Sequence, residues 1–479
     1  MTARRGTIAL PALGIGLVVA LSVPPAGWWP LGILGLAALG HLLSGRPVRA
    51  RATAGFVAGL GLYGVTLFWM GQFNAIGAFL VMGLEASFLM LAAVTTPPGL
   101  SRVWAWPAAV LVSNALRTVI PFGGLPMGGI ELGQAAGPLA AAARVGGPLV
   151  VAALVAVAGV GLEAVTFRRW TIAAISAALV VAVPALGAAA PDGAVVGRLR
   201  TAMVQGGGRR GLRAVNNPPE LVYGAQLAAD ASVSPPVDLV VWPENVIALD
   251  GPIAGSPQDA EVGAEAHRLG ATLVAGVTEP VGDTRFANAA VAWAPTGQIE
   301  ARYDKVHRVP FGEYVPGRSL VAHIVNLGVI PRDAVAGHGP GLLRTSAGPL
   351  GVTISFEVFF SSRARAAIRA GGQVLLVPTN TASYTTSQVP DSEVAAAKLR
   401  AWETGRDVVM AAPTGFSAAI DAHGRVLART GLGHRQVLLV TVARRHGTTP
   451  YLRLGDGPFV ALALALVGLA WAWERLRST

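Results

Sequence analysis

Two patterns of hydrophobic and polar positions divide the chain. Up to about residue 190, apolar residues run on with little interruption, in stretches near 7–23, 28–44, 53–72, 76–96, 103–120, 147–166 and 171–190. One comparable stretch follows at 457–473. Each is close to the ~20 residues a helix needs to cross the hydrocarbon of a bilayer. They predict a membrane domain over 1–192 with about seven spanning helices, and a last span at 457–473. Between them, over 195–450, short apolar runs alternate with polar, helix-compatible stretches. Candidate strands lie at 201–204, 238–242, 272–277, 289–293, 352–355, 374–378, 408–411, 417–420 and 437–442, and candidate helices at 218–231, 259–269, 361–370 and 393–404. Such alternation predicts an α/β domain with a mixed or parallel sheet core.

Composition strengthens the first part of this reading. Hydrophobic residues make up 53% and charged residues 13%, with a mean hydropathy of +0.54. A soluble domain carries about 25% charged residues. The stretch after Arg4 and Arg5 has the shape of a signal peptide, but a second apolar run follows at once, which favours a retained span.

Charge adds an orientation. The formal net charge is +11, yet the arginines form no single basic face and many flank apolar runs, so no nucleic-acid partner is expected. Arg46, Arg49 and Arg51, then Arg102, then Arg168 and Arg169, then Arg475 and Arg477 lie on alternate connections, as Arg4 and Arg5 do. The loops 24–27 and 72–75 between them carry no Lys or Arg. The positive-inside bias therefore predicts both termini in the cytoplasm and residues 191–456 outside, with the bilayer and its anionic lipids as the basic residues' partner. Two acids fall in or beside apolar runs: Glu163, a few residues from Arg168, reads as structural, and Glu85 is left open. The chain has no cysteine, which excludes disulfides, thiolate metal sites and a thiol nucleophile. No metal or nucleotide motif is present, so neither a metal nor a cofactor is expected.

Candidate chemistry sits at strand ends. The run Leu350-Gly351-Val352-Thr353-Ile354 leads to Ser355, Phe356 and Glu357. A hydroxyl where a core strand meets a turn can be a nucleophile, and it is more often a turn residue or cap. Upstream stand Trp242-Pro243-Glu244, Tyr303-Asp304-Lys305 and Pro310-Phe311-Gly312-Glu313. Sites in open α/β sheets gather at the carboxyl ends of strands. There, a carboxylate, an ammonium and a hydroxyl form a possible base, oxyanion stabiliser and nucleophile. Glu244 with Lys305 is equally readable as a structural ion pair, and Glu313 as a turn acid.

A resemblance weighs on that choice. Val204-Gln205-Gly206, Trp242-Pro243-Glu244, Tyr303-Asp304-Lys305, Val309-Pro310-Phe311-Gly312-Glu313-Tyr314, Ser355-Phe356-Glu357 and Arg400-Ala401-Trp402-Glu403-Thr404-Gly405-Arg406 occur in this order. Together they resemble the apolipoprotein N-acyltransferases, membrane-bound members of the nitrilase superfamily, over nearly the full length. The resemblance implies a multi-span helical membrane domain with a nitrilase-like αββα sandwich outside a bacterial plasma membrane. It implies transfer of an acyl chain from a phospholipid donor to the N-terminal amine of a diacylglyceryl-modified lipoprotein. By position, Glu244 is implied as general base, Lys305 as oxyanion stabiliser and Glu313 as the second glutamate. The Phe356 N–H is implied as the other oxyanion donor, and Glu357 as the acid that follows the nucleophile.

This sequence departs from the family's pattern at the nucleophile, which is a cysteine in the family and Ser355 here. An alkanol is far less acidic than a thiol, whose ordinary pKa is about 8.5. The segments 378–384 and 413–415 also differ from the family's usual residues. The expectation is an acyl-enzyme on Ser355. The alternatives are a cysteine enzyme with its nucleophile substituted, and a catalytically weak or inactive paralogue that binds lipoprotein or lipid or supports a partner. A transporter needs paired charges or broken spans along a path, which the isolated carboxylates do not provide.

Overall fold

The computed structural model describes residues 8–212, 214, 217–323 and 331–478; Arg4 and Arg5 lie outside the described residues. The chain forms two compact units, residues 1–190 with 449–479, and residues 191–448.

The first unit is helical. Its main helices are α1 (Ala9–Ala20), α2 (Pro30–Leu43), α3 (Val48–Thr66), α4 (Ala75–Thr95), α5 (Arg102–Arg117), α6 (Ala143–Thr166), α7 (Trp170–Ala189) and a C-terminal helix, Gly457–Ser478. Four segments are long and apolar enough to cross a membrane: Ala75–Thr95, Pro138–Thr166, Trp170–Ala189 and Gly457–Arg477. The helices α1 and α2 are apolar but have only 12 and 14 residues. Lipid-like surroundings give no hydrophobic drive between helices, so close packing of small residues matters more. At Gly16 an added Cβ would run into the Ala58 carbonyl, and at Gly59 into Ala86, which seats α1 on α3 and α3 on α4.

Glu85 and Glu163 are both paired. Arg117 Nε donates to Glu85, its other nitrogens reach Asn114 Oδ1 (3.1 Å) and the Met127 carbonyl (2.7 Å), and its guanidinium lies over the Tyr63 ring. Glu163 does not turn to Arg168. It takes two bonds of 2.8 Å from Arg102, 61 residues away, and contacts His41 at 3.1 Å. A fork of two parallel charge-assisted bonds outcompetes a nearby arginine on a turn that can reach water.

The second unit is a four-layer α/β sandwich. One sheet contains β1 (Ala194–Gln205), β2 (Leu239–Val241), β3 (Ile247–Ala248), β4 (Thr272–Val281), β5 (Arg285–Trp293), β6 (Ile299–Asp304), β7 (Asp333–Ala334) and β14 (Gln436–His446), with main order β14-β1-β2-β4-β5-β6. The other contains β8 (Leu342–Thr345), β9 (Gly348–Val352), β10 (Val374–Pro378), β11 (Val408–Ala411), β12 (Ala418–Ile420) and β13 (Val426–Arg429), in order β13-β12-β11-β10-β9-β8. In each sheet the parallel strands are central, β1-β2-β4 and β9-β10-β11, and antiparallel strands flank them. Met203, Leu239, Val241 and Val274 of the first sheet pack against Leu350, Val352, Leu376 and Val409 of the second. The outer face of the first sheet buries Trp242, Leu273 and Trp293 with Ala229 of α8 (Pro219–Asp230) and Val262 and Ala266 of α9 (Pro257–Leu269). The helices α10 (Ser361–Arg369) and α11 (Gln388–Thr404) cover the second sheet.

Several strands run longer than predicted, and two shifts bear on the candidate residues. The strand expected at 352–355 ends at Val352 in β9, and Ser355 opens a 3-10 turn, Ser355–Phe359. The ladder ends because Thr353 N makes the last bond to β10, at the Leu376 carbonyl (3.0 Å), and the next amide, Ile354 N, turns to the Glu357 carboxylate (2.9 Å). The helix expected from 393 begins at Gln388 and includes Pro390, which a first turn tolerates because its N–H groups have no intrahelical acceptor.

Replacing Arg117 by Met leaves Glu85 buried and unpaired, an expected loss of about 3–5 kcal/mol. Adding Glu85→Met should recover most of that loss. Thermal midpoints of the detergent-solubilised single and double variants check this; equal midpoints contradict it.

Candidate active site

Glu244 is placed by the exit of β2. Trp242 N donates to the Val274 carbonyl (2.8 Å), Gly276 N to the Pro243 carbonyl (3.0 Å), and Trp242 Nε1 to Asp230 Oδ1 (2.7 Å). The Trp-Pro pair thus stays extended along β4, and Glu244 follows where the chain turns at Asn245, φ 55°. Gly276 is required there, since a Cβ would collide with Glu244 Cα.

Lys305 follows β6 directly, its N–H on the Asn288 carbonyl (2.8 Å). Its Nζ donates to Glu244 Oε1 (2.8 Å) and Glu313 Oε1 (2.7 Å). Asn288 of β5 donates through one Nδ2 to the same two oxygens, at 2.9 and 3.0 Å. Glu313 is held in turn by Val309 N on Oε2 (2.7 Å). Glu244, Lys305 and Asn288 are almost fully buried. Burial raises the Glu244 carboxyl above its ordinary range, and the Lys305 charge only partly offsets this. Burial alone would lower the Lys305 ammonium, but Glu244 and Glu313 outweigh it and keep it above its ordinary range, firmly protonated.

Ser355 comes from the other sheet. Its φ of 48° is left-handed, unusual for a residue with a Cβ, and it is half-buried among buried neighbours. Phe356 N stands in the first turn after it, where N–H groups lack intrahelical acceptors, and the Phe356 ring meets Phe360 edge-on at 5.0 Å. Glu357 is an organiser. Its two oxygens accept from Ile354 N, Val306 N, His307 N and the Tyr303 hydroxyl, all within 2.9 Å. One carboxylate thereby fixes both the Ser355 turn and the segment that carries Lys305.

The structure joins Glu244, Lys305 and Glu313 directly. Among the described residues, the Ser355 hydroxyl makes its hydrogen bond to Glu393 Oε1 (3.4 Å), not to Glu244 or Lys305. Glu393 lies in the second turn of α11, and Thr379, at the end of β10, donates to both of its oxygens at 2.9 Å. Burial pushes this carboxyl from 4.5 up to about 8, with Thr379 opposing and Glu244 adding to the rise. Asn380 Nδ2 reaches the Glu244 carbonyl at 3.4 Å, tying the β10 exit to the β2 exit. Sequence reasoning missed Glu393 and Asn288. The available signals were an acid entering an alanine-rich helical stretch and an amide at the start of an apolar strand. No group of three or more His, Asp or Glu side chains poised for a metal occurs among the described residues.

Residues 200–450 match the carbon-nitrogen hydrolase family model. A solved CN-hydrolase superfamily protein from Xanthomonas campestris covers 56% of this chain and 97% of its own, with TM-score 0.40 and 20% identity. The family match makes residues 200–450 a carbon–nitrogen hydrolase domain, and the other unit carries helices long and apolar enough to cross a membrane. Residues 15–161 match the apolipoprotein N-acyltransferase N-terminal domain. An apolipoprotein N-acyltransferase of Mycolicibacterium smegmatis is 31% identical, covering 96% of this chain and 83% of its own; one of Methylococcus capsulatus is 30% identical, covering 97% and 96%. The chain belongs to the apolipoprotein N-acyltransferase family.

The raised Glu393 carboxyl carries a stability signature. The folded state favours its protonated form, so it binds more protons than the unfolded chain between the two pKa values. Stability contributed below pH 4.5 is lost as pH rises toward about 8 and is constant beyond. Relative to Glu393→Gln, the native chain should therefore lose on the order of a few kcal/mol across that window. Thermal midpoints of the two proteins against pH measure the gap; parallel curves would exclude it.

Proposed function

We propose that this chain transfers an acyl chain from a phospholipid to the α-amine of a diacylglyceryl-modified lipoprotein, through an acyl-enzyme on Ser355. The observation that carries the reading is the buried Glu244–Lys305–Glu313–Asn288 cluster gathered with a strained serine turn in a chain of this family. In the first half-reaction Ser355 Oγ loses its proton to a carboxylate, Glu244 in the family's pattern, and attacks the ester carbonyl. The Lys305 ammonium and the Phe356 N–H receive the developing oxyanion. The ester C–O bond breaks, and the lysophospholipid leaves with that proton. In the second half-reaction the lipoprotein amine attacks the acyl carbonyl, an amide forms, and Oγ recovers a proton. Glu313 and Asn288 keep Glu244 and Lys305 in register.

A second reading, an accessory protein with little acyl transfer, is favoured by one observation: the Ser355 hydroxyl bonds Glu393 rather than Glu244. Vesicles containing phospholipid with a labelled acyl chain separate the two. The purified native chain should gain one acyl group as an oxyester, stable to neutral hydroxylamine, and Ser355→Ala none. Glu244→Gln and Lys305→Met should slow acylation by about 10²–10³-fold. Acylation of Ser355→Cys but not of the native chain would decide for the accessory reading.

The arginine pattern supports residues 191–448 lying outside the plasma membrane of a bacterial cell. The absence of cysteine makes this simple to test. Ala254→Cys, at an exposed loop, should react with a membrane-impermeant maleimide in intact cells, and Ser44→Cys, between α2 and α3, should react only after lysis. The opposite labelling would invert the topology.

A further inference from the structure

We propose that Glu393 is the proton acceptor for Ser355 in this chain, a second catalytic carboxyl contributed by α11 in addition to the Glu244 cluster. The inference deepens the proposed function and rests on its acyl-enzyme at Ser355.

Three observations carry it. First, among the described residues Glu393 Oε1, at 3.4 Å, is the carboxylate oxygen in hydrogen-bond contact with the Ser355 hydroxyl. Second, Glu393 is built into place. Its side chain is nearly fully buried, and the Thr379 hydroxyl, 2.9 Å from both oxygens, fixes the carboxyl plane. Third, one oxygen of Glu244 is engaged elsewhere. Its Oε1 accepts from both Lys305 and Asn288 inside an ion-pair network that includes Glu313. That network suits charge stabilisation, whereas Glu393 faces the nucleophile.

The chemistry of the nucleophile asks for such a group. A thiol is readily ionised by a moderate base, but a hydroxyl must pass its proton on while it attacks. A carboxyl that burial has made more basic takes that proton better than an ordinary one, and the shift to about 8 is in that direction. The charged and titratable groups around it are Glu244 after β2, Lys305 after β6 and Tyr384 after β10. In acylation the Oγ–H proton moves to Glu393 as the Oγ–C bond forms. The leaving alkoxide of the lysophospholipid takes that proton as the ester C–O bond breaks. In the second half-reaction the attacking amine's N–H proton goes to Glu393 as the N–C bond forms, and then to Oγ as the C–Oγ bond breaks.

The test uses four full-length proteins: native, Glu393→Gln, Ser355→Cys, and the double substitution. Acyl-enzyme formation is followed with vesicles of labelled phospholipid from about pH 6 to about 9.5. Thermal midpoints report folding. On the native background, Glu393→Gln should lower the rate by about 100-fold or more and remove the limb rising toward about pH 8. On the Ser355→Cys background the same change should cost less than about fivefold, because the thiol needs little help. An equal loss on both backgrounds marks a merely structural role and overturns the inference. So does a Glu393→Gln protein that acylates Ser355 at nearly the native rate with its pH limb intact, an outcome that leaves the proposed function standing. A native chain that never acylates while Ser355→Cys does removes the serine acyl-enzyme itself, and this inference with it.

Discussion

The site depends on one buried ammonium shared by two carboxylates. Lys305 lies 2.8 and 2.7 Å from Glu244 and Glu313, with Asn288 bridging the same two oxygens. Such a group is costly to bury, and its geometry must be nearly complete before attraction repays desolvation. The sandwich supplies that completeness. Glu244 leaves β2, Asn288 lies in the buried part of β5, and Lys305 leaves β6, so one sheet positions all three before Glu313 closes the network from a loop. The Trp242 and Gly276 contacts serve the same constraint, since a small displacement of Glu244 would strand the lysine.

The second sheet meets this cluster through a single acid. Glu357 accepts two amides and a hydroxyl from the Tyr303–His307 segment and one amide from the turn at Ile354. Left-handed backbone at a non-glycine residue costs about 1–3 kcal/mol. At Ser355 it persists because the bonds to Glu357 on one side and the helical turn on the other leave the backbone no alternative. The strain points the serine away from the strand direction, toward α11 and Glu393.

How far the sequence could be read follows from this division. Apolar runs announce the helices of the first unit because composition alone decides them, although four of its segments are long and apolar enough to cross a membrane, and the strand-end acids and lysine are legible because sheets place sites at strand ends. The membrane acids show where local reading stops. Glu163 sits near Arg168 in sequence, yet Arg102 holds it across 61 residues, and spacing cannot reveal a partner on another helix. Asn288 was hidden for a different reason: one amide at the edge of an apolar strand looks like a boundary until Lys305 and two glutamates converge on it. Glu393 was hidden because an acid in an early helical turn is ordinarily explained by the helix dipole. Ser355 was placed on a strand because its neighbours are apolar and β-branched; the Glu357 carboxylate, which captures the next amide, ends the ladder early. The short antiparallel strands Ile299–Asp304, Leu342–Thr345 and Val426–Arg429 escaped because edge positions relax the alternation that marks a half-buried strand.

The two carboxyls near the serine also constrain each other. Burial is the main reason the Glu393 carboxyl rises to about 8; the Glu244 charge adds to the rise, and Lys305, shared with Glu244 and Glu313, only partly opposes it. The rise has opposing consequences. At neutral pH only about a tenth of such a group is ionised, which reduces the population ready to accept a proton. Each ionised group is correspondingly a stronger base, and the gain in proton affinity outruns the loss of population only when the acid to be deprotonated is weak. A thiol would make the raised carboxyl a disadvantage; a hydroxyl makes it useful. On the proposal that Glu393 takes the serine's proton, the buried acid on α11 and the alcohol on the strained turn act as one chemical unit beside the lysine cluster.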